Sequence, residues 1–404
     1  MQSRPDYLRK IKPFIDKPVV KVLTGMRRVG KSCLLELLQA ELLASGIDEK
    51  RIVFLNLESM ENAAIRTDVD LYETIRKRIG RKPTFLFLDE IQEVAGWEKV
   101  VNSLLTDKKA DIYITGSNAR LLSSELATYI AGRYVEVPVF PLSFQEHLDF
   151  RGEKCGSREE EFARYLKYGG LPGLHAFEWN DEIIYQYISG IYDSVLLKDV
   201  IARNSIRDIS LLESVGRFVL DNIGNVVSAN RIAQFLKNQQ RKAGSETIYN
   251  YLRALEQGFL VYRVPRYDLK GKRYLEIHEK YFLGDIGLRH AQLGFKEGDI
   301  SGLLENLVYL ELRRRGYRVS IGKWQELEID FVAERENEKQ YIQVAYLLAG
   351  EETVRREFEP LQKIRDNYAK RVLSLDSVWG TDCEGIQRLN LIDFLLEKHQ
   401  KSQE

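Results

Sequence analysis

Residues 25–32 read Gly-Met-Arg-Arg-Val-Gly-Lys-Ser, between an apolar β-branched run at 19–24 and a helical Cys33-Leu34-Leu35-Glu36-Leu37-Leu38. This is the GxxxxGK[ST] spacing in its strand-to-helix setting. Gly25 and Gly30 permit backbone angles that turn successive N–H groups inward, and the start of a helix adds partial positive charge, so the loop is built to hold polyphosphate. Within it Lys31 is expected to reach the β- and γ-phosphates and the Ser32 hydroxyl to ligate Mg2+, with Arg28, Val29 and Cys33 completing the nucleotide-contacting set.

A metal held this way needs a carboxylate from the end of a neighbouring buried strand. Phe85-Leu86-Phe87-Leu88 runs into Asp89-Glu90, and an unpaired carboxylate is too costly to bury unless the strand stops at a polar site. Asp89 is expected to hold Mg2+ through water and Glu90 to polarise the attacking water, the pairing of a hydrolase. A further strand ends in Thr115-Gly116-Ser117-Asn118, which puts Asn118, with Ser117 as the alternative, where a neutral side chain can orient water against a γ-phosphate. Arg133, just before a fifth strand, is a candidate to contact that phosphate in cis or in a neighbouring subunit.

The elements that must position these residues follow α/β grammar. Strands are predicted at 19–24, 52–57, 85–88, 112–115 and 134–137, each too apolar to be half solvated and so central in a parallel sheet. From 157 to about 224 the pattern becomes helical and reads as a lid or connector. Between residues 228 and 276 there are 10 Lys/Arg against 4 Asp/Glu, so a locally basic segment sits in a chain of net charge zero. Its order, a short helix at 229–237, a helix at 246–257 opened by Ser245, then a strand pair at 259–267 and 272–278, is the layout of a winged helix-turn-helix. Thr247, Asn250 and Arg253 on the second helix, with Arg263, Arg266, Lys270, Lys272 and Arg273 in or near the wing, make a set that can grip DNA phosphates and reach base edges.

The GKS loop, the Asp-Glu strand end, the Thr-Gly-Ser-Asn strand end and the run Gly-Arg-Tyr-Val-Glu-Val-Pro-Val-Phe-Pro-Leu-Ser-Phe-Gln-Glu-His at 132–147 together resemble bacterial and archaeal AAA+ ATPases joined to a conserved C-terminal domain of uncharacterised function. The resemblance implies a sheet of order 5-1-4-3-2 with the named residues at its carboxyl edge, ATP and Mg2+ as cofactors, and ATP hydrolysis as the reaction. Two departures stand out: the lid carries no clear second sensor arginine, and the Arg27-Arg28 pair makes the loop unusually basic.

Beyond residue 300, a helix at 303–315 carries Glu305 and Glu311, the segment 328–332 carries Asp330, and the strand 341–345 carries Gln343 but ends in Ala345. This resembles a restriction-endonuclease-like core, in which a lysine would stand at 345. Without its ammonium nothing at that position activates water or meets developing charge, so the site of Glu305, Asp330 and Gln343 is expected to be degenerate and non-cleaving. Lys323 is a candidate for a lysine migrated from elsewhere.

The expected architecture is therefore α/β: a P-loop NTPase domain of the AAA+ type at 1–150, a helical lid at 151–210, a winged helix at 211–285 and a degenerate nuclease-like domain at 286–404. Length permits this, since 404 residues suit two to four domains. Three scattered cysteines without CxxC spacing argue against a disulfide framework or a cysteine zinc site. No apolar run approaches a membrane span and the first residues lack a signal core, so a cytoplasmic location is expected. The functional expectation is an ATPase acting on DNA or on a DNA-bound partner. The alternatives are a nucleotide-dependent switch that assembles protein partners, including copies of itself, and an ATP-regulated active nuclease.

Overall fold

Five short, strongly apolar strands make the first sheet: β1 (Val20–Thr24), β2 (Ile52–Asn56), β3 (Thr84–Asp89), β4 (Ala110–Gly116) and β5 (Tyr134–Pro138). They run parallel in the order β2-β3-β4-β1-β5, the order the resemblance implied. Every residue of β1 and β3 is buried, as strands covered by helices on both faces must be. The helices of this part are α1 (Pro5–Ile11), α2 (Lys31–Ala44), α3 (Asp68–Arg78) and α4 (Trp97–Thr106). α3 starts at a capping box in which Thr67 and Asp70 satisfy each other's backbone N–H groups. Its Leu71 and Ile75 pack with Val101 and Leu104 of α4 against Leu86, Leu88, Ile112 and Ile114 of the sheet. Toward the amino ends of the strands Lys21 is fully buried and ion-paired with Asp111, which also accepts from the Tyr113 hydroxyl at 2.6 Å.

The computed structural model describes residues 2–80, 82–122, 129–130, 132–377 and 382–397, and the chain divides into two units: Met1–Phe140 with Gln257–Phe259, and Pro141–Glu256 with Leu260–Glu404. The second unit opens with helices α5 (Phe144–Arg151), α6 (Arg158–Tyr168), α7 (Asp181–Ser194) and α8 (Ile209–Asp221), with a π-helical stretch at Val195–Ala202. α5 and α6 are joined by buried polar contacts: Glu161 accepts from the Gly156 N–H at 3.0 Å, faces His147 at 3.1 Å and pairs with Arg151 and Arg164. There follow β6 (Val226–Val227), α9 (Ala229–Asn238), α10 (Ser245–Gln257), β7 (Val261–Asp268), β8 (Arg273–Leu283), α11 (Ile286–Leu293) and α12 (Ile300–Arg314). Last come β9 (Arg318–Trp324), β10 (Leu327–Arg335), β11 (Glu338–Val344), α13 (Glu351–Lys363), β12 (Ala369–Ser374), β13 (Ile386–Asn390) and α14 (Leu391–Leu396).

Among the described residues, the eight strands of this unit join one mixed sheet, β13-β12-β11-β10-β9-β7-β8-β6. β7 hydrogen-bonds β8 on one edge and runs parallel to β9 on the other, with Arg266 opposite Ile321. The β7–β8 pair is thus an internal part of the sheet, which continues across the boundary expected at 285. Among the described residues no helix is long and apolar enough to cross a membrane.

Candidate functional site

The loop after β1 takes the backbone its glycines foretell: Gly25 has φ 150°, Gly30 has φ 95° and caps α2, and Arg28 between them is left-handed at φ 66°. At Gly25 the requirement is also steric, because a Cβ there would lie 2.2 Å from the Val139 carbonyl oxygen. Arg28 and Cys33 are exposed, Val29 is buried, and Arg27 is committed to Glu58 at 3.0 Å. The buried Lys31 ammonium donates to the Gly25 and Met26 carbonyls at 2.9 and 3.0 Å, across the concavity of the loop, and stands 3.7 Å from Glu90.

Asp89 ends β3 and Glu90 follows it, beside this loop. Burial pushes the Asp89 carboxyl up, against hydrogen bonds from the Thr115 and Ser32 hydroxyls that favour the charged form. Ser32 and Asp89 therefore already meet, and a hydroxyl and a carboxylate in contact are an oxygen donor pair suited to a hard cation such as Mg2+. The Thr115 hydroxyl donates to Asp89 at 2.5 Å and accepts from the Glu90 N–H at 2.9 Å, bracing both acids from β4. Ser117 and Asn118 are both buried just past the carboxyl end of β4. With an inward-turned loop, a helix amino terminus, a lysine and this donor pair on one sheet edge, the residues fit a nucleoside triphosphate with its Mg2+.

Arg133 is the exception. It precedes β5, whose Tyr134 is in register with Val20 at the start of β1, and its guanidinium donates to Asn102 at 2.8 Å and the Ile130 carbonyl at 3.2 Å. That is the amino edge of the sheet. The five strand steps separating Arg133 from the level of Thr24 span about 16 Å, so the contact in cis is withdrawn and only a contact with a neighbouring copy is left. Conversely, Arg4 had no motif to reveal it: it is buried and donates to the Val29 carbonyl at 2.8 Å and the Phe140 carbonyl at 3.0 Å, tying the phosphate loop to the segment after β5.

In the second unit Asn250 and Arg253 are exposed on α10, Thr247 is half-buried, and Lys270, Lys272 and Arg273 are exposed at the β7–β8 turn. Arg263 faces Glu279 at 3.0 Å and Glu256 at 3.9 Å, while Arg266 is turned toward Glu328 at 3.4 Å. An open cavity of about 570 Å3 is lined by Glu305, Glu328, Asp330, Gln343, Ala345 and Glu357, among others. Gln343 accepts from the Asp330 N–H at 2.7 Å and donates to Glu357 at 3.1 Å, and Asp330 accepts from the Val344 N–H at 2.8 Å. Of the two helix acids, Glu305 belongs to this group, whereas Glu311 is buried against Arg314 and Arg315. The lysine missing at 345 has a counterpart that sequence did not single out: Lys280 of β8 reaches Glu328 at 2.8 Å, Glu305 at 3.1 Å and Asp330 at 3.9 Å. Lys280, like Lys323, is not itself a cavity-lining residue, but the three acids it reaches are. Burial pushes Glu305 and Asp330 up, Lys280 notwithstanding, while the acids together hold the Lys280 ammonium charged against its own burial.

A Lys-bearing loop between strand and helix, with two acids at the end of β3, one strand removed from β1 in a 2-3-4-1-5 sheet, defines a P-loop NTPase. A family model described as an AAA domain matches residues 17–148, and one described as a domain of unknown function matches residues 159–299. An uncharacterized protein of Haemophilus influenzae is 39% identical over 402 residues, covering 98% of this chain and 99% of its own. A second, from Methanocaldococcus jannaschii, is 32% identical over 391 residues, covering 93% and 85%. The chain belongs with them to an AAA+ ATPase family. A Walker-type ATPase of Pyrococcus abyssi is similar in fold, with a TM-score of 0.51 at 16% identity over 70% of this chain and 93% of that one.

Proposed function

We propose that this protein binds and hydrolyses ATP with Mg2+ in its first unit and uses the second to act on DNA. The observation that carries the proposal is the convergence of Lys31, Ser32, Asp89 and Glu90 on one loop at the carboxyl edge of the sheet. The N–H groups of residues 25–33 cradle the phosphates, Ser32 and Asp89 share the metal, Glu90 polarises the attacking water, and Asn118 or Ser117 reads the γ-phosphate. Bound ATP·Mg2+ supplies the phosphoryl group and the cation that neutralises its charge. Arg133 acts, in this proposal, only on the nucleotide of a neighbouring copy.

The DNA half is supported by the element order α8-β6-α9-α10-β7-β8 with β6 antiparallel to β8, the connectivity of a winged helix. Its contact set is Thr247, Asn250 and Arg253 on α10 with Lys270, Lys272 and Arg273 at the turn. Arg263 and Arg266 leave the set because they are ion-paired. The test is the ATPase rate with and without single- and double-stranded DNA. Stimulation supports the proposal, and indifference to DNA together with nucleotide-dependent capture of a protein partner replaces it with the assembly switch.

Lys280 carries a second reading for the C-terminal cavity. The ground for a non-cleaving domain is Ala345, and an ammonium delivered from β8 into the same carboxylates removes that ground. The alternative is a metal-dependent nuclease, decided by nicking of supercoiled plasmid with Mg2+ or Mn2+.

A further inference from the structure

Glu90 is fixed through its backbone and restrained through its side chain. It sits at φ 52° and ψ 51°, a left-handed conformation uncommon for a residue with a side chain, at the start of the short helix Ile91–Glu93. Thr115 holds its N–H at 2.9 Å. Its two carboxylate oxygens face different partners: Oε1 lies 3.7 Å from Lys31 Nζ, and Oε2 accepts from the side-chain amide of Gln92.

Gln92 is placed for more than this one bond. Its Nε2 is also 3.5 Å from Ser117 Oγ, so one amide group spans from Glu90 to the end of β4 that carries Asn118. The amide lies over Gly116, where an added Cβ would come within 2.5 Å of Gln92 Oε1. The orientation of the amide is dictated by charge, since a flip would set Oε1 against the Glu90 carboxylate. Gln92 Oε1 is buried and has no hydrogen-bond partner among the described residues, so only the Nε2 side of the amide anchors the group.

We propose that Gln92 is a positioning residue that acts through Glu90, holding its carboxylate against the Ser117–Asn118 strand end so that it faces the attacking water once Lys31 has turned to the phosphates. The proposal rests on the ATPase reading and adds to it a residue that touches no nucleotide. When Lys31 engages phosphate, the Lys31 restraint on Oε1 is withdrawn and the Gln92 bond is the one that keeps Glu90 from swinging after it. Gln92 therefore contributes to turnover and not to ground-state affinity.

The test compares Gln92→Glu, Gln92→Leu and Gln92→His in the full-length protein, reading kcat for ATP, KM, and binding of a non-hydrolysable ATP analogue. Gln92→Glu is nearly isosteric, lacks the donor and opposes Glu90 with a like charge; kcat should fall roughly 100-fold. Gln92→Leu should fall roughly 10-fold, and Gln92→His, which keeps an N–H donor, should recover part of the loss. Analogue binding should stay within about 2-fold throughout. In a Glu90→Gln background the Gln92→Leu change should cost nothing further, because the group it positions is gone. Parental kcat in Gln92→Glu and Gln92→Leu overturns the proposal. So do losses that follow analogue affinity in parallel, or an additive loss in the double variant. Absence of ATP turnover in the parent, with analogue binding indifferent to Lys31→Ala, is a different result: it removes the ATPase reading itself, and this proposal with it.

Discussion

Lys280 Nζ stands 3.1 Å from Glu305 Oε2, joining strand β8 to helix α12 25 residues further along the chain. The same ammonium lies 2.8 Å from Glu328, so three acids converge on one buried cation when Asp330 is counted at 3.9 Å. Removing one partner from such a group leaves buried charge unpaired, which costs about 3 to 5 kcal/mol. Lys280→Met should therefore lower the urea midpoint markedly, and Lys280→Met with Glu305→Gln should recover part of that loss. A single variant as stable as the parent would mean that the acids are neutralised by protonation instead.

The same residue decides the chemistry of the cavity. If the domain cleaves, plasmid nicking by the parent should vanish in Asp330→Ala and fall at least 100-fold in Lys280→Met. Parent protein that leaves supercoiled DNA intact with both Mg2+ and Mn2+ keeps the non-cleaving reading of the sequence.

For the first unit, Lys31→Ala should abolish nucleotide binding, whereas Glu90→Gln should bind ATP and lose turnover. A phosphate-contacting charge contributes to ground-state affinity, and a water-orienting carboxylate to the barrier alone. Equilibrium binding of a fluorescent ATP analogue beside a phosphate-release assay separates the two. Turnover at the parental rate in Glu90→Gln would displace Glu90 from its assigned role.

What was legible in the sequence is what lies close together in it. The phosphate loop, the Asp89-Glu90 strand end and the Ser117-Asn118 strand end each declare themselves within a few residues, because burial of a strand and exposure of its tip are written locally. Arg4 could not be found this way: its partners are 25 and 136 residues distant, and an N-terminal arginine looks like surface. Lys280 is hidden for a related reason, since it stands 25 residues before Glu305 and only the pairing of its strand with β6 and β7 brings it to that acid. For Arg133 the sequence shows only a residue before a strand, and it is the parallel pairing of β5 with β1 that sets it at the amino edge and leaves the contact in trans.

The wing residues make a salt-dependence prediction. With about 4 to 6 phosphate contacts, the logarithm of DNA affinity should fall with log salt at a slope of roughly −4 to −5. Replacing Lys270, Lys272 and Arg273 together by Ala should flatten that slope by about 3, while Arg266→Ala, already committed to Glu328, should leave it unchanged. Binding isotherms between low and physiological salt provide the measurement, and an unaltered slope in the triple variant would move the contact surface elsewhere.

Acid should destabilise the second unit through its buried imidazoles, with Asp285, pushed up to about 6 by burial, offsetting part of the loss. Burial holds the His147 imidazole down at about 4, with Glu161 only partly offsetting it, and burial beside Arg289 holds His290 at about 4 as well. In the unfolded chain both return to about 6.5. A base whose folded value lies below its unfolded one favours folding fully above pH 6.5, and that contribution drains away as pH falls toward 4, where the folded ring takes the proton too. Between pH 7 and 5 the loss is about 2 kcal/mol for each ring. Burial pushes Glu161 up, but the donors of Gly156, Arg164 and His147 outweigh it and hold the carboxyl down at about 2. Its contribution is thus intact until pH drops below about 4.5. Urea unfolding at pH 7 and pH 5 should show the parent losing stability, with His147→Gln and His290→Gln each losing about 2 kcal/mol less across the same interval. An unchanged pH dependence in both variants would assign the acid sensitivity to other groups.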